Sequence, residues 1–155
     1  MTKRKLDEVD QRIIDWLSRD ARTSNRRIAA ALGVTEGTVR ARIKRLVDDK
    51  LIRITAVTNI ERLANPMLAF IWIDVDKSAD ADAVARRLAG LPRLGFVGKM
   101  LGRFDILAIT MVQHTVELTD FIHQEISGID GVHRTDVTLG VKFIKHDYRI
   151  SRIVD

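Results

Sequence analysis

The stretch Ser24-Asn25-Arg26-Arg27-Ile28-Ala29-Ala30-Ala31-Leu32-Gly33-Val34-Thr35-Glu36-Gly37-Thr38-Val39-Arg40-Ala41-Arg42-Ile43-Lys44-Arg45-Leu46-Val47 decides how the front of this chain folds. Ser24 is a residue type whose side chain accepts an orphan amide at a helix start, and Ile28, Ala31 and Leu32 follow it at helical spacing. Gly33 then stands where a helix end calls for a left-handed residue. Thr35 caps a second helix whose apolar stripe is Val39, Ile43, Leu46 and Val47. Two helices joined by a tight glycine-containing turn are a helix-turn-helix in sequence form. Upstream, Asp7 caps a further helix with Val9, Ile13, Trp16 and Leu17 at helical spacing to about Arg19, and acidic residues fill its first turn, where the helix dipole favours them.

The outward face of the third helix carries the functional signal. With Val39, Ile43 and Leu46 inward, a 100° step per residue turns Gly37, Thr38, Ala41, Lys44 and Arg45 outward, with Arg40 and Arg42 flanking them. Small residues near the helix start let its backbone approach a groove, while Arg and Lys reach phosphates or guanine edges. Arg26 and Arg27, opening the second helix, suit backbone phosphates. Charge distribution agrees: residues 1–60 hold fourteen Lys/Arg and eight Asp/Glu, a net +6, whereas the remainder is −1. A solvated basic helix in a three-helix scaffold is the plainer alternative. The turn, the small-residue face and the charge asymmetry together favour double-stranded DNA, contacted by Arg26, Arg27, Thr35, Gly37, Thr38, Arg40, Arg42, Lys44 and Arg45.

Leu51 to Thr58 has strand-like composition and follows Asp49-Lys50, where a winged helix-turn-helix turns into a short strand. Asn59 to Pro66 ends in Asn-Pro, which biases Asn65 out of the right-handed helical region. These signals divide the chain into a DNA-binding domain at 1–58, a linker at 59–66, a second domain at 67–145 and a C-terminal tail at 146–155.

The second domain alternates strands and helices. Met67 to Val75 is apolar on both faces, with Leu68, Phe70 and Trp72 on one and Ala69, Ile71, Ile73 and Val75 on the other. Asp80 caps a helix with Val84, Ala85 and Leu88 inward, stopped by Gly90 and Pro92. Phe96 to Leu101 and Phe104 to Val112 read as strands joined at Gly102-Arg103. Thr115 caps a helix with Leu118, Phe121, Ile122 and Ile126 inward and Gly128 as its stop, and Val132 to Ile144 supplies a last strand. The order β-α-β-β-α-β is the ferredoxin-like arrangement, so the class is α+β. Both helices then cover one sheet face and leave an apolar face open, which predicts a homo-oligomer of at least two copies.

Composition narrows the chemistry. The chain has 155 residues and no cysteine, so thiolate catalysis, disulfides and cysteine metal sites are excluded. The longest apolar run, Met67 to Ile73, is far short of the roughly 20 residues of a membrane span, and Met-Thr-Lys-Arg-Lys leads into no signal segment. These features predict a soluble, cytoplasmic protein associated with the nucleoid, with no membrane partner. His114, His123, His133 and His146 include no i,i+4 pair, so no metal is expected. Neither a Gly-x-Gly-x-x-Gly run nor a P-loop occurs, so no cofactor is expected.

Several motifs agree on a family. Leu6-Asp7, Asp10, Ile13-Ile14, Leu17, Asp20-Ala21-Arg22, Ile28-Ala29, Leu32-Gly33-Val34-Thr35, Thr38-Val39, Arg42-Ile43, Arg45-Leu46 and Leu51-Ile52 resemble the leucine-responsive and asparagine-responsive regulators (Lrp/AsnC). Gly102-Arg103-Phe104-Asp105 is similar to the Gly-x-aromatic-Asp hairpin of that family's effector-binding and oligomerisation domain, and the match spans about residues 6–145. The resemblance implies a transcription regulator that forms dimers and often tetramers or octamers, with DNA affinity or assembly modulated by a small effector, most often an amino acid. The implied effector residues are Gly98, Met100, Leu101, Gly102, Arg103, Phe104, Asp105 and Thr138. Asp105 would meet an ammonium, the glycine turn would offer N–H groups to a carboxylate, and Met100, Leu101 and Phe104 would bound a small apolar pocket. Lys99 and Arg103 offer an anion site instead. Two alternatives are a low-specificity nucleoid-shaping protein and an enzyme similar to the sirohaem decarboxylases, with His114, or His133 and Arg134, in that role. The groove-reading face of the third helix has no use in the enzyme.

Overall fold

The computed structural model describes residues 5–59 and 62–144. Two compact units divide them, one ending at Val57 and the other beginning at Thr58.

The first unit contains α1 (Glu8–Arg19), α2 (Asn25–Leu32) and α3 (Glu36–Asp48). Each helix starts where a short polar side chain takes an orphan amide: Asp7 accepts from the Asp10 N–H, Ser24 from the Arg27 N–H and Thr35 from the Thr38 N–H. Gly33 ends α2 in the left-handed conformation, at φ +68°. Ile13, Ile28, Ala29, Val39 and Leu46 form the core between the three helices. Each fully buried Ile or Leu here contributes about 1.5–3 kcal/mol of transfer free energy. Ile43 is only partly buried against this core, and Val47 is exposed, so the inward stripe of α3 is narrower than its spacing predicts.

The expected wing strand is not formed. Leu51 to Thr58 has no strand conformation, and the Leu51 and Ile52 amides turn back to the Leu46 carbonyl. Ile54 and Val57 are exposed. Strand composition needs a neighbouring strand to satisfy its amides, and none pairs with this segment among the described residues. Asn65, before Pro66, has φ +48°, outside the right-handed helical region that the following proline disfavours.

The second unit contains β1 (Met67–Val75), α4 (Ala81–Ala89), β2 (Leu94–Lys99), β3 (Ile106–Val112), α5 (Thr115–Phe121, continuing as a π turn over Ile122–Ile126) and β4 (Val132–Gly140). The strand order is β2-β3-β1-β4, and every neighbouring pair is antiparallel. Ala69, Ile71 and Ile73 pair with Thr110, Ala108 and Ile106, and this face is buried under Val84, Leu88, Leu118, Phe121, Ile122 and Ile126 from the helices. The opposite face presents Leu68, Phe70 and Trp72 beside Met111, Ile109 and Leu107, with Asp136 and Thr138 on β4. Met111 and Phe96 are exposed there.

Several boundaries differ from the sequence reading, beginning with β2, which starts at Leu94 and not at Phe96. The β2–β3 connection is a six-residue loop, Met100 to Asp105, because its backbone closes through the Met100 N–H to the Asp105 carbonyl at 2.8 Å rather than through a tight two-residue turn. Thr115 is the first residue of α5 and not its cap; His114 holds the cap position without a side-chain bond, and the Glu117 carboxylate accepts the Gln113 N–H instead. β4 ends at Gly140, the last residue paired with β1, and not at Ile144. The C-terminal tail at 146–155 lies outside the described residues.

Candidate nucleic-acid interface and effector loop

The mouth of α3 is built by Thr35. Its Oγ1 accepts the Thr38 N–H at 3.1 Å and lies 2.9 Å from the Thr38 hydroxyl. Gly37 and Ala41 are exposed beside it, so a flat strip of backbone and methyl lies open at a helix N-terminus. Arg40 and Lys44 flank the strip with side chains 71% and 76% exposed, and among the described residues each makes only an i,i+4 surface pair, with Glu36 and Asp48. Such exposed pairs are worth little and yield readily to a phosphate. Arg26 is exposed, whereas the Arg27 guanidinium lies over the Trp16 ring, 5.6 Å from its centroid.

Arg42 and Arg45 correct the sequence reading. Neither projects freely outward, because both turn back to the start of α1. Arg42 Nη1 donates to Asp7 Oδ2 at 2.6 Å and to Asp10 Oδ1 at 2.8 Å. Arg45 Nη2 donates to both Asp10 oxygens, at 2.7 and 2.6 Å. The Asp10 side chain is only 5% exposed, and Arg42 and Arg45 are 25% and 37% exposed. A buried carboxylate must be compensated, and these two guanidiniums compensate it. The Arg42 hydrogen bond, assisted by the Asp10 N–H, holds the Asp7 carboxyl below its ordinary range, and the same bond raises the Arg42 pKa. Asp7 and Asp10 were legible as a helix start, but nothing local reveals partners more than 30 residues away.

The Met100–Asp105 loop is anchored by Asp105. Its N–H donates to the Ile73 carbonyl at 3.1 Å, and its Oδ2 accepts the Val75 N–H at 2.8 Å. Asp105 therefore continues the β1–β3 ladder past Ile106. Phe104 packs on Trp72 with ring centroids 5.6 Å apart, and the Arg103 guanidinium lies 5.1 Å from the Phe104 centroid. Gly102 sits at φ +152°, a conformation that side chains rarely adopt. At Gly98 an added Cβ would lie 2.7 Å from the tip of the exposed Phe96 ring, so a side chain there would displace that ring.

Not every implied effector residue joins the loop. Leu101 is fully exposed at the loop tip, beside the Gly102 turn. Met100 is partly buried. Thr138 lies on β4 opposite Phe70, one pair along from the Trp72 that supports Phe104. Lys99 is paired with Asp82 at 3.0 Å, which lowers the Asp82 pKa. Sequence reasoning missed a cleft of about 750 Å³ beside Asp105, lined by Asp74, Val75, Asp76, Lys77, Ala79, Ala81 and His133. Its residues come from a strand end, a helix start and β4, so only the fold brings them together.

The residues of the enzyme alternative are dispersed. His114 follows the β3 end that pairs with Met67, whereas His133 sits at the bulge beside Asp74 and Val75, at the other end of β1. His133 pairs with Asp76 at 3.2 Å, and Arg134 pairs with Asp136, which raises the Arg134 pKa. Among the described residues no group of three or more His, Cys, Asp or Glu is placed to hold a metal ion, and no helix is long and apolar enough to cross a membrane.

Comparison with known proteins agrees with both units. Residues 6–47 match the AsnC-type helix-turn-helix domain, and residues 63–153 match a C-terminal dimeric alpha+beta barrel domain of the AsnC regulators. An uncharacterised HTH-type transcriptional regulator of Pyrococcus abyssi is 34% identical over 147 residues, covering 94% of this chain and 92% of that protein. Escherichia coli AsnC shares the fold at TM-score 0.78 and 20% identity, covering 97% of this chain and 99% of that one. A Neisseria meningitidis transcriptional regulator, solved as its L-Met complex, shares it at TM-score 0.80 and 21% identity, covering 95% and 97%. A capped helix-turn-helix, a four-stranded α+β domain and relatives matched over nearly their whole length lead to one conclusion: the chain belongs to the AsnC/Lrp family of DNA-binding transcriptional regulators, and is a regulator and not an enzyme.

Proposed function

We propose that this regulator reads specific DNA through the N-terminal half of α3, and that a small effector, an amino acid, bound beside the Gly98–Asp105 loop alters its DNA affinity or assembly. The observation that carries the DNA half is the open strip of Thr35, Gly37, Thr38 and Ala41 at a helix N-terminus, flanked by the exposed Arg40 and Lys44. Arg26 meets the phosphate backbone from the start of α2, and Arg27 adds to it when it leaves the Trp16 ring. Two copies associate through the open sheet faces, and larger assemblies of four or eight copies follow from pairing of dimers. The protein acts in the cytoplasm, on the nucleoid.

The effector half rests on the loop chemistry. Asp105 offers a carboxylate to an ammonium, and the backbone around Gly102 offers N–H groups to a carboxylate. The Neisseria regulator seen with L-Met supports this choice of ligand class.

A mobility-shift assay on the DNA upstream of the protein's own coding sequence tests both halves, with scrambled competitor, a salt series and each common amino acid in turn. Specific retention, preferred by roughly 10³ or more over scrambled DNA and altered by one amino acid, is expected. Equal retention of scrambled DNA would favour a nucleoid-shaping role. Specific retention indifferent to every amino acid would redirect the loop to another ligand.

A further inference from the structure

Asp10 is the most buried charged side chain of the DNA-binding unit, and it holds two of the four basic side chains of α3. We propose that Asp10 is a positioning residue for DNA reading: it withdraws Arg42 and Arg45 from the phosphate contacts and uses them to fix the rotation of α3 against α1. This rests on the DNA-reading role of α3 given above.

The geometry has two parts. Arg42 and Arg45 stand three residues apart on α3, so both guanidiniums reach one carboxylate from successive positions on the same side of the helix. Two anchors on one side oppose rotation of α3 about its own axis, which a single hydrophobic stripe resists less sharply. Arg42 Nη1 also bridges Asp7 and Asp10, tying the cap of α1 to the middle of α3. Arg45 Nε is buried with no hydrogen-bond partner among the described residues. Its head group is thus committed to Asp10 at the expense of one donor, and not held by a fully satisfied pocket.

The consequence is a division of the cations. Arg40 and Lys44, on exposed surface pairs, neutralise phosphates; Arg42 and Arg45, already neutralised, do not. Each phosphate neutralised contributes about 0.9 to the slope of log affinity against log salt. A count of the slope therefore identifies which cations touch DNA, independently of how tightly the protein binds.

The test is that slope on a random-sequence duplex of about 30 base pairs, measured for the full chain and for single variants. Arg40→Gln and Lys44→Gln are expected to reduce the slope by about one each. Arg42→Gln and Arg45→Gln are expected to leave it unchanged; each leaves Asp10 one guanidinium, so the fold is retained. Asp10→Asn frees Arg45 and leaves Arg42 its bond to Asp7 alone, and a slope steeper by about one is expected, with a lower preference for the duplex that the wild-type protein selects from a random pool. A role confined to folding would weaken binding without steepening the slope. A slope reduced by Arg42→Gln or Arg45→Gln as much as by Lys44→Gln would overturn the proposal, whether or not Asp10→Asn folds. Absence of wild-type binding to any duplex would instead overturn the DNA-reading role itself.

Discussion

The Asp105 carboxylate accepts the Val75 N–H at 2.8 Å, while the Asp105 N–H donates to the Ile73 carbonyl at 3.1 Å. One residue thus extends the β1–β3 ladder by both its backbone and its side chain. The same carboxylate is the group proposed to meet an effector's ammonium. Asparagine keeps an acceptor for Val75 and removes the charge; alanine removes both. Asp105→Asn is expected to keep wild-type stability and basal DNA binding but to lose the effector response. Asp105→Ala is expected to lose the response and also about 0.5–1.5 kcal/mol of stability. Denaturant unfolding beside a mobility shift with the active amino acid checks the pair, and an Asp105→Asn protein that still responds would remove the charge from the site.

Gly33 isolates the backbone contribution of the helix-turn-helix turn. A Cβ there would meet no atom within 4 Å, yet φ is +68°. Gly33→Ala is therefore expected to cost about 1 kcal/mol or slightly more through conformation alone, with no steric clash to relieve. Urea unfolding measures it, and an unchanged midpoint would show that the turn relaxes to another conformation.

Asp7 makes stability fall on the acid side. Its carboxyl is held below the ordinary value of 3.8, first by the Arg42 hydrogen bond and then by the Asp10 N–H. A depressed folded pKa means the unfolded chain binds its proton first as pH falls. The contribution is thus fully present above the unfolded value and is lost as pH drops through the folded one. The stability difference between wild type and Asp7→Asn is expected to be constant above about pH 5 and to shrink steadily below it. Thermal unfolding from pH 6 to pH 2 follows this, and a constant gap over the whole range would refute it.

The open sheet face supplies a prediction about assembly. Met111 is 47% exposed on that face and takes no part in the helix-side core. Met111→Glu is expected to leave each domain folded while shifting the dimer towards monomer, because a charge in a buried interface is costly unless paired. Light scattering after size exclusion reads the mass directly. Retention of the wild-type mass would move the interface to another surface.

What the sequence made legible follows the range of each interaction. The caps at Asp7, Ser24 and Thr35 and the stop at Gly33 depend on residues at most five apart, and each lies where local spacing puts it. The two faces of β1 were readable because strand side chains alternate strictly. The hold of Asp10 on Arg42 and Arg45 was not, because it joins residues 32 and 35 positions apart and competes with an equally basic outward reading. The segment from Leu51 to Thr58 misled for a related reason: composition marks a chain suited to a strand, whereas a strand exists only when another backbone pairs with it. The loop residues are contiguous and so readable as one hairpin, but the cleft beside Asp105 draws on Asp74, Asp76 and His133, which only the folded sheet brings together.

The packing of Phe104 on Trp72 has an optical consequence. The chain contains two tryptophans, one in each unit. Trp72 touches the Met100–Asp105 loop through Phe104, while Trp16 lies under the Arg27 guanidinium in the DNA-binding unit. Their emission therefore reports two different events from one unlabelled molecule. Replacing Trp16 by phenylalanine leaves a chain whose fluorescence follows the loop, and replacing Trp72 leaves one that follows the DNA-binding unit. Titrating each with amino acid and with duplex would separate ligand occupancy from its transmission, without attaching a dye to either site.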